Sequence, residues 1–119
     1  MVDYRKYKVW QKSHTLVLEI YKLTLFFPRK EQYNIISQIN RAAVSIPTNI
    51  AEGCGRQTQK ELIRFLYIAA GSAHEMEYLF LLSIDLNYID NEKYEMLSLK
   101  ISELKKMLSS LISKIAATL

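Results

Sequence analysis

The amino-acid sequence predicts an all-α protein, folded as one antiparallel, up-down-up-down four-helix bundle over residues 1–119. The chain has only 3 Gly and 2 Pro, too few for the many turns of a β fold. Half of its 119 residues are apolar, which is enough for a sizeable core. Towards the C-terminus the apolar residues alternate at spacings of four and three, the pattern of a helix with one buried face.

The first two helices are predicted over residues 9–26 and 30–53, where leucines and isoleucines recur every three or four positions. Pro28 separates them, because a proline disfavours helical geometry in the residue before it. Pro47 lies inside the second helix and lacks an amide hydrogen. We therefore expect a kink near Ala43.

The other two helices are predicted over residues 58–86 and 91–117. Thr58 and Glu61 have the spacing of a capping box, in which each side chain satisfies a free backbone amide. The glycines of segment 53–55 tolerate the left-handed backbone that often ends a helix, and they predict the end of helix two there. Short connections between helices of similar length favour antiparallel neighbours.

Positive charge is concentrated in the first half of the chain. The net charge is +4, yet residues 1–64 hold 11 Lys or Arg against 5 Asp or Glu. A basic surface favours an anionic partner, with nucleic acid the first candidate, although helical proteins also carry many solvated surface lysines. The candidate nucleic-acid-binding residues are Arg5, Lys6, Lys8, Lys12, Arg29, Lys30, Arg56, Lys60 and Arg64. Alternating helix directions would place segments 5–12 and 56–64 at the same end of the bundle.

A second pattern consists of polar residues flanked by alanine and glycine on helices two and three. Small residues allow backbones to approach closely, and polar groups enclosed there must pair with each other. Three interpretations stay open: a buried hydrogen-bond network, a subunit interface, or a ligand site. The residues are Gln38, Arg41, Ser45, Asn49, Glu52, Ser72 and Glu75.

Catalytic and metal-binding patterns are weak, so we expect no enzyme, no cofactor and no metal. His14, His74 and Cys54 are not spaced as metal ligands. Glu75 and Glu77 lie two apart on a helix and point in different directions, which does not suit an acid–base pair. A single cysteine allows no disulfide within the chain and suggests a reducing compartment. With no signal peptide and no membrane-spanning segment in the sequence, we expect a cytoplasmic protein.

A set of motifs extends over nearly the whole chain. It consists of Phe27-Pro28, Glu31, Gln38, Arg41-Ala42-Ala43-Val44-Ser45-Ile46-Pro47, Asn49-Ile50-Ala51-Glu52-Gly53, Ala70-Gly71-Ser72-Ala73 and Glu75, with Trp10 and Tyr21-Lys22-Leu23-Thr24 also fitting. In these motifs the chain resembles the "four helix bundle protein" family. That family includes proteins encoded in intervening sequences of bacterial large-subunit ribosomal RNA genes, and accessory proteins of diversity-generating retroelements are similar to it.

The resemblance implies a homopentamer of four-helix bundles around a central opening, without enzymatic activity. It also implies a basic surface that, in the retroelement accessory proteins, binds nucleic acid and a partner reverse transcriptase. Two functions follow as hypotheses. The first is an oligomeric nucleic-acid-binding protein, associated with a reverse transcriptase or with ribosomal RNA intervening sequences. The second is a protein-interaction scaffold with no role on nucleic acid.

Overall fold

The computed structural model describes residues 2–119, which form four α-helices and no β-strand. This confirms the all-α, four-helix prediction. Two short 3-10 turns, at Tyr4–Lys6 and Arg29–Glu31, precede the first and second helices. The helices are α1 (Lys8–Thr24), α2 (Ile35–Cys54), α3 (Gln59–Asp85) and α4 (Asn91–Ala116).

Each helix packs against its neighbours in the chain, and these neighbours run in opposite directions. The Ser72 hydroxyl donates to the Ser45 hydroxyl over 2.8 Å, while Gly53 lies against Phe65, so α3 runs antiparallel to α2. The α1–α2 and α3–α4 pairs have the same arrangement. Their contacts are Thr24–Asn40, Val2–Cys54, Glu77–Lys105 and Gln59–Thr118.

The bundle is a rod of 46 × 23 × 19 Å in which α1 and α3 lie diagonally, without direct packing between them. Its core is built from the apolar stripes of all four helices, and Phe80 is the largest fully buried side chain. The contact between α1 and α4 is sparse, and grooves run along that seam.

Side-chain caps begin α3 and α4. The Thr58 hydroxyl accepts a hydrogen bond from the Glu61 amide at 3.2 Å, and the Asp90 carboxylate accepts one from the Lys93 amide at 2.8 Å. Asn87, in the turn between these helices, has a φ of 63°, a left-handed conformation that asparagine tolerates better than most residues.

The second helix begins at Ile35, five residues later than the predicted start at Lys30. A 3-10 turn occupies Arg29–Glu31, and Asn34 has non-helical dihedral angles. The mostly polar residues before Ile35 have no apolar face to bury, so packing against the core does not stabilise a helix there. The helix then continues through Pro47 to Cys54. The kink near Ala43 stays a prediction.

The left-handed cap expected at segment 53–55 is wrong, because no glycine among residues 2–119 has a positive φ. Gly53 serves close packing instead. A Cβ at this position would lie 2.8 Å from the Phe65 Cβ and 3.0 Å from a methyl group of Leu62. The missing side chain therefore lets α2 approach α3 near the end of the rod.

Candidate nucleic-acid interface

The basic segments of the sequence meet at one end of the rod, which we call the basic end. The Val2 amide donates to the Cys54 carbonyl over 3.1 Å, so the N-terminal segment lies beside the end of α2. The Thr118 hydroxyl donates to Gln59 over 2.9 Å and brings the end of α4 to the start of α3. The basic end therefore comprises residues 2–12, 52–64 and 106–119.

A groove at the basic end separates the start of α1 from the last turns of α4. Three lysines line it, namely Lys8, Lys106 and Lys114, and no acidic side chain does. Met107 and Leu111 also line the groove, whose volume is about 340 Å³. We call it the lysine groove. Its cationic rim and apolar lining suit a chain of phosphates joined to flat, apolar bases.

Six basic side chains at this end have no carboxylate oxygen within 4.0 Å among residues 2–119. An uncompensated lysine or arginine can bind a phosphate without first losing an ion pair. These six residues are Lys6, Lys8, Lys60, Arg64, Lys106 and Lys114.

The other three predicted cations of this end are paired with carboxylates on the surface. They form the contacts Arg5–Asp3 at 3.1 Å, Lys12–Glu103 at 2.7 Å and Arg56–Glu52 at 3.3 Å. The Arg5 hydrogen bonds hold the pKa of the Asp3 carboxyl below its usual value, so that carboxylate stays charged. Exposed pairs of this kind contribute little to stability, and a phosphate can replace the carboxylate.

Arg29 and Lys30, although predicted as nucleic-acid-binding residues, lie at the opposite end of the rod. We call this the loop end; it comprises residues 25–34 and 85–93. There the Tyr88 hydroxyl donates to Glu31 over 2.6 Å, and the Tyr88 ring packs against Phe27. Because the rod is 46 Å long, Arg29 and Lys30 do not share a site with the lysine groove.

The predicted polar stripe is only partly assembled within one chain. The Asn49 amide donates to the Ser45 hydroxyl over 2.9 Å, and Ser72 donates to the same hydroxyl, so these half-buried groups satisfy each other across α2 and α3. The remaining four members do not join them. Gln38, Arg41, Glu52 and Glu75 have exposed side chains.

A continuous buried network over all seven residues is therefore wrong. Buried polar groups must pair with each other, whereas these four are solvated. Glu52 bonds to Arg56 instead, while neither Arg41 nor Glu75 forms an ion pair within residues 2–119. The interpretation of these four residues as a subunit interface stays a prediction.

An aromatic cluster borders the basic end on its other side, between α1 and α2. Trp10 stacks on His14 with ring centroids 5.0 Å apart and packs edge-on against Tyr4 at 4.9 Å. The cluster anchors the N-terminal segment to the bundle. Burial raises the pKa of Tyr7, so its hydroxyl stays protonated and able to donate at neutral pH.

Other chemistry has little support in the described part of the chain. Within residues 2–119 no three His, Cys, Asp or Glu side chains are grouped as metal ligands. The Cys54 thiol is buried, which raises its pKa and disfavours the reactive thiolate. None of the helices in residues 2–119 combines the length and hydrophobicity needed to cross a membrane.

Sequence reasoning missed Lys106 and Lys114 as candidate site residues. They belong to the second half of the chain, where acidic residues outnumber basic ones. A signal was nevertheless present: positions 106, 110 and 114 are four apart and share one face of α4. Only the antiparallel packing of α4 beside α1 brings that face to Lys8.

Comparison with known proteins agrees with the four-helix fold. The family model for the 23S rRNA-intervening sequence proteins matches residues 5–110. The chain belongs to this family. It also resembles the 1.70 Å crystal structure of a protein of unknown function from the S23 ribosomal protein family of Bacteroides thetaiotaomicron VPI-5482. That match has a TM-score of 0.82 and 33% identity, and it covers 88% of this chain and 95% of the other.

No curated protein matches the chain. The family assignment confirms the ribosomal RNA intervening-sequence part of the predicted resemblance. The retroelement accessory type stays a prediction.

Proposed function

We propose that this protein is a non-enzymatic, oligomeric protein that binds nucleic acid at its basic end. The observation that supports this most is the convergence of three separate basic chain segments at one end of the rod. Lys8 from α1, Lys60 from α3 and Lys114 from α4 are far apart in sequence, yet all lie at this end of the rod.

The mechanism is electrostatic. Each lysine or arginine that neutralises a phosphate releases a condensed counterion, so affinity falls steeply as salt is added. The six uncompensated cations are the main phosphate contacts. Arg5, Lys12 and Arg56 join them when a phosphate displaces their surface carboxylates.

RNA is the first ligand to test, because the family is described by its link to 23S ribosomal RNA intervening sequences. A reverse transcriptase is a further partner to test, on the basis of the resemblance to retroelement accessory proteins. Assembly into a homopentameric ring would repeat the basic end five times. Weak contacts from each copy would then add up to strong, salt-sensitive binding.

Fluorescence anisotropy tests the proposal with labelled single- and double-stranded RNA and DNA, titrated with protein from about 50 to 200 mM salt. We expect binding at the lowest salt and a steep linear fall in log affinity with log salt. Absence of binding at about 50 mM salt, where electrostatic contacts are strongest, would overturn it.

A protein-interaction scaffold is the second candidate, and the loop end favours it. Leu25, Phe26 and Tyr33 are each at least 80% exposed there, which is unusual for three large apolar side chains so close in sequence. Recovery of the same partner protein before and after nuclease treatment, combined with no nucleic-acid binding, would support this function instead.

A further inference from the structure

The outward faces of α1 and α3 carry similar patterns on opposite sides of the bundle. Leu18 and Lys22 of α1 and Leu25, the C-cap residue of this helix, step by four and three, and all three side chains are exposed. On α3 the sequence Gly71, Glu75, Tyr78 has the same spacing and is also exposed. Each stripe therefore has one charged residue in the middle and one uncharged residue on either side of it.

The sides of α3 that face α2 and α4 are covered within the chain, while its outer side carries apolar residues among charged ones. Exposed apolar residues grouped on one face of a helix are typical of a contact with another molecule, so the outer side of α3 is a candidate interface. The exposed apolar residues on α3 are Tyr67, Ile68, Tyr78 and Leu81.

Gly71 has no role in packing within the chain. A Cβ there would meet no atom within 4 Å, in contrast to Gly53. Glycine weakens the interior of a helix, so its presence at an open position calls for another cause. The close approach of a second molecule is such a cause.

The two stripes also lie at the same height along the rod. Thr24 of α1 contacts Asn40 of α2, and Ser45 of α2 contacts Ser72 of α3. Asn40 is five residues before Ser45, and the antiparallel position five residues after Ser72 is Glu77. Thr24 is thus level with Glu77.

Because α1 and α3 both run antiparallel to α2, they run parallel to each other. Two residues before Thr24 on α1 is Lys22, and two residues before Glu77 on α3 is Glu75, so Lys22 is level with Glu75. The same offset places Leu18 level with Gly71 and Leu25 level with Tyr78. Neither Lys22 nor Glu75 has an ion-pair partner within residues 2–119.

We infer that the outward face of α1 in one copy of this chain packs against the outward face of α3 in the next copy. Lys22 pairs with Glu75 across the contact, Leu18 enters the space above Gly71, and Leu25 packs on Tyr78. The inference rests on the self-association in the proposed function and identifies the surfaces that carry it.

The contact joins two different faces, so it is head-to-tail and leaves a free α1 face and a free α3 face at each step. Such contacts form a closed ring if the rotation between neighbouring copies closes, and an open filament if it does not. An assembly of this kind keeps the rods parallel. It therefore places all the basic ends on the same side, where they would contact one nucleic acid together.

Charge reversal tests the pairing, with the assembly mass measured by light scattering after size-exclusion chromatography. Lys22→Glu and Glu75→Lys each place like charges opposite one another, which is strongly unfavourable at an interface. Each single variant should weaken association by at least about tenfold. The double variant Lys22→Glu/Glu75→Lys should restore it. Lys30→Glu and Glu95→Lys, at exposed sites outside the contact, are the matched controls.

A steric variant tests the same surface without changing charge. Gly71→Gln places a long side chain where Leu18 should enter, and helical glutamine does not threaten the fold. We expect a monomer with an unchanged circular dichroism spectrum.

The outcomes separate this inference from the proposed function. Monomeric wild-type protein at micromolar concentration would remove self-association altogether. Oligomeric wild-type protein unaffected by Lys22→Glu, Glu75→Lys and Gly71→Gln would overturn the α1–α3 contact alone. Failure of the double variant to recover would overturn the Lys22–Glu75 pair.

Discussion

The two ends of the rod are built differently. At the loop end, charged and aromatic side chains contact each other: Tyr88 bonds to Glu31 and packs on Phe27, and Asp90 caps α4. The basic end holds nine cations against three carboxylates, and three of its lysines, Lys8, Lys106 and Lys114, line one groove. The loop end has three cations that likewise form no ion pair among residues 2–119, but it also has four carboxylates.

The difference indicates which end stabilises the bundle and which is available to a ligand. Polar groups that pair within the chain have their electrostatic requirements met. Like charges held together without counter-charges repel each other, and this repulsion destabilises the folded state. Under the proposed function, bound phosphates would supply the missing counter-charges at the basic end.

The largest expected effect comes from reversing the charge of the lysine groove. The triple variant Lys8→Glu/Lys106→Glu/Lys114→Glu should lower nucleic-acid affinity by at least about 100-fold at low salt. It should also flatten the log–log salt dependence by about two units for a single strand, since three phosphate contacts are lost. Anisotropy titration measures both.

The matched control makes the same change in charge at the loop end. Arg29→Glu/Lys30→Glu/Lys93→Glu should reduce affinity only by about threefold, through net charge alone. Equal losses in the two triple variants would mean that the groove has no special role.

The next effect concerns the packing beneath the basic end. Gly53→Ala forces a Cβ to within 2.8 Å of the Phe65 Cβ, so α2 and α3 must separate. We expect a loss of about 1–3 kcal/mol in the free energy of unfolding, measured by urea denaturation.

Gly55→Ala is its neighbouring control. The nearest atom to a Cβ there is the Glu52 carbonyl oxygen at 3.5 Å, an ordinary contact, and Gly55 has a negative φ. This variant should leave the stability unchanged or raise it by up to about 1 kcal/mol. A loss equal to that of Gly53→Ala would show that close helix packing is not the reason for Gly53.

A smaller effect tests the loop end through pH. The hydrogen bond to Glu31 raises the pKa of Tyr88, so its contribution to stability is complete below the ordinary tyrosine pKa of about 10. That contribution is lost as the pH rises through the raised pKa, because only the protonated hydroxyl can donate. Wild-type protein should therefore melt above Tyr88→Phe at pH 7, and the difference in Tm should shrink above about pH 10. A difference that is constant between pH 7 and 11 would contradict this account.

The smallest expected effect comes from freeing one paired cation at the basic end. Glu103→Gln removes the carboxylate that holds Lys12 at 2.7 Å, so Lys12 can contact a phosphate. Affinity should rise about twofold to threefold, while the stability changes by no more than about 0.5 kcal/mol, as expected for an exposed pair. Glu95→Gln, nearer the loop end of α4, is the control. Equal gains from the two variants would assign the effect to net charge.

Much of the fold could be predicted from the sequence because its signals are local. The apolar spacing of α4 and the Thr58 cap of α3 depend on residues within one or two turns. The start of α2 could not be predicted as well. Helix formation there depends on whether Ile35 finds a buried position, which is a property of the assembled bundle.

The candidate site was less accessible to sequence reasoning, for the same physical reason. Lys8 was identified from the basic N-terminal segment, whereas Lys106 and Lys114 join it only through the packing of α4 beside α1. Similarly, Ser45, Asn49 and Ser72 pair across two helices, while Arg41 and Glu75 face solvent despite the same spacing. Spacing predicts a shared helix face but not what covers that face.

Lysine modification, with and without nucleic acid, tests the role of the basic end most directly. The protein is treated with an acylating reagent at low salt, and the extent of modification at each lysine is read by mass spectrometry. We predict that bound single-stranded RNA protects Lys8, Lys60, Lys106 and Lys114, while Lys30 and Lys93 react as they do in the free protein. Protection at Lys30 and Lys93 with none in the lysine groove would contradict the proposed interface.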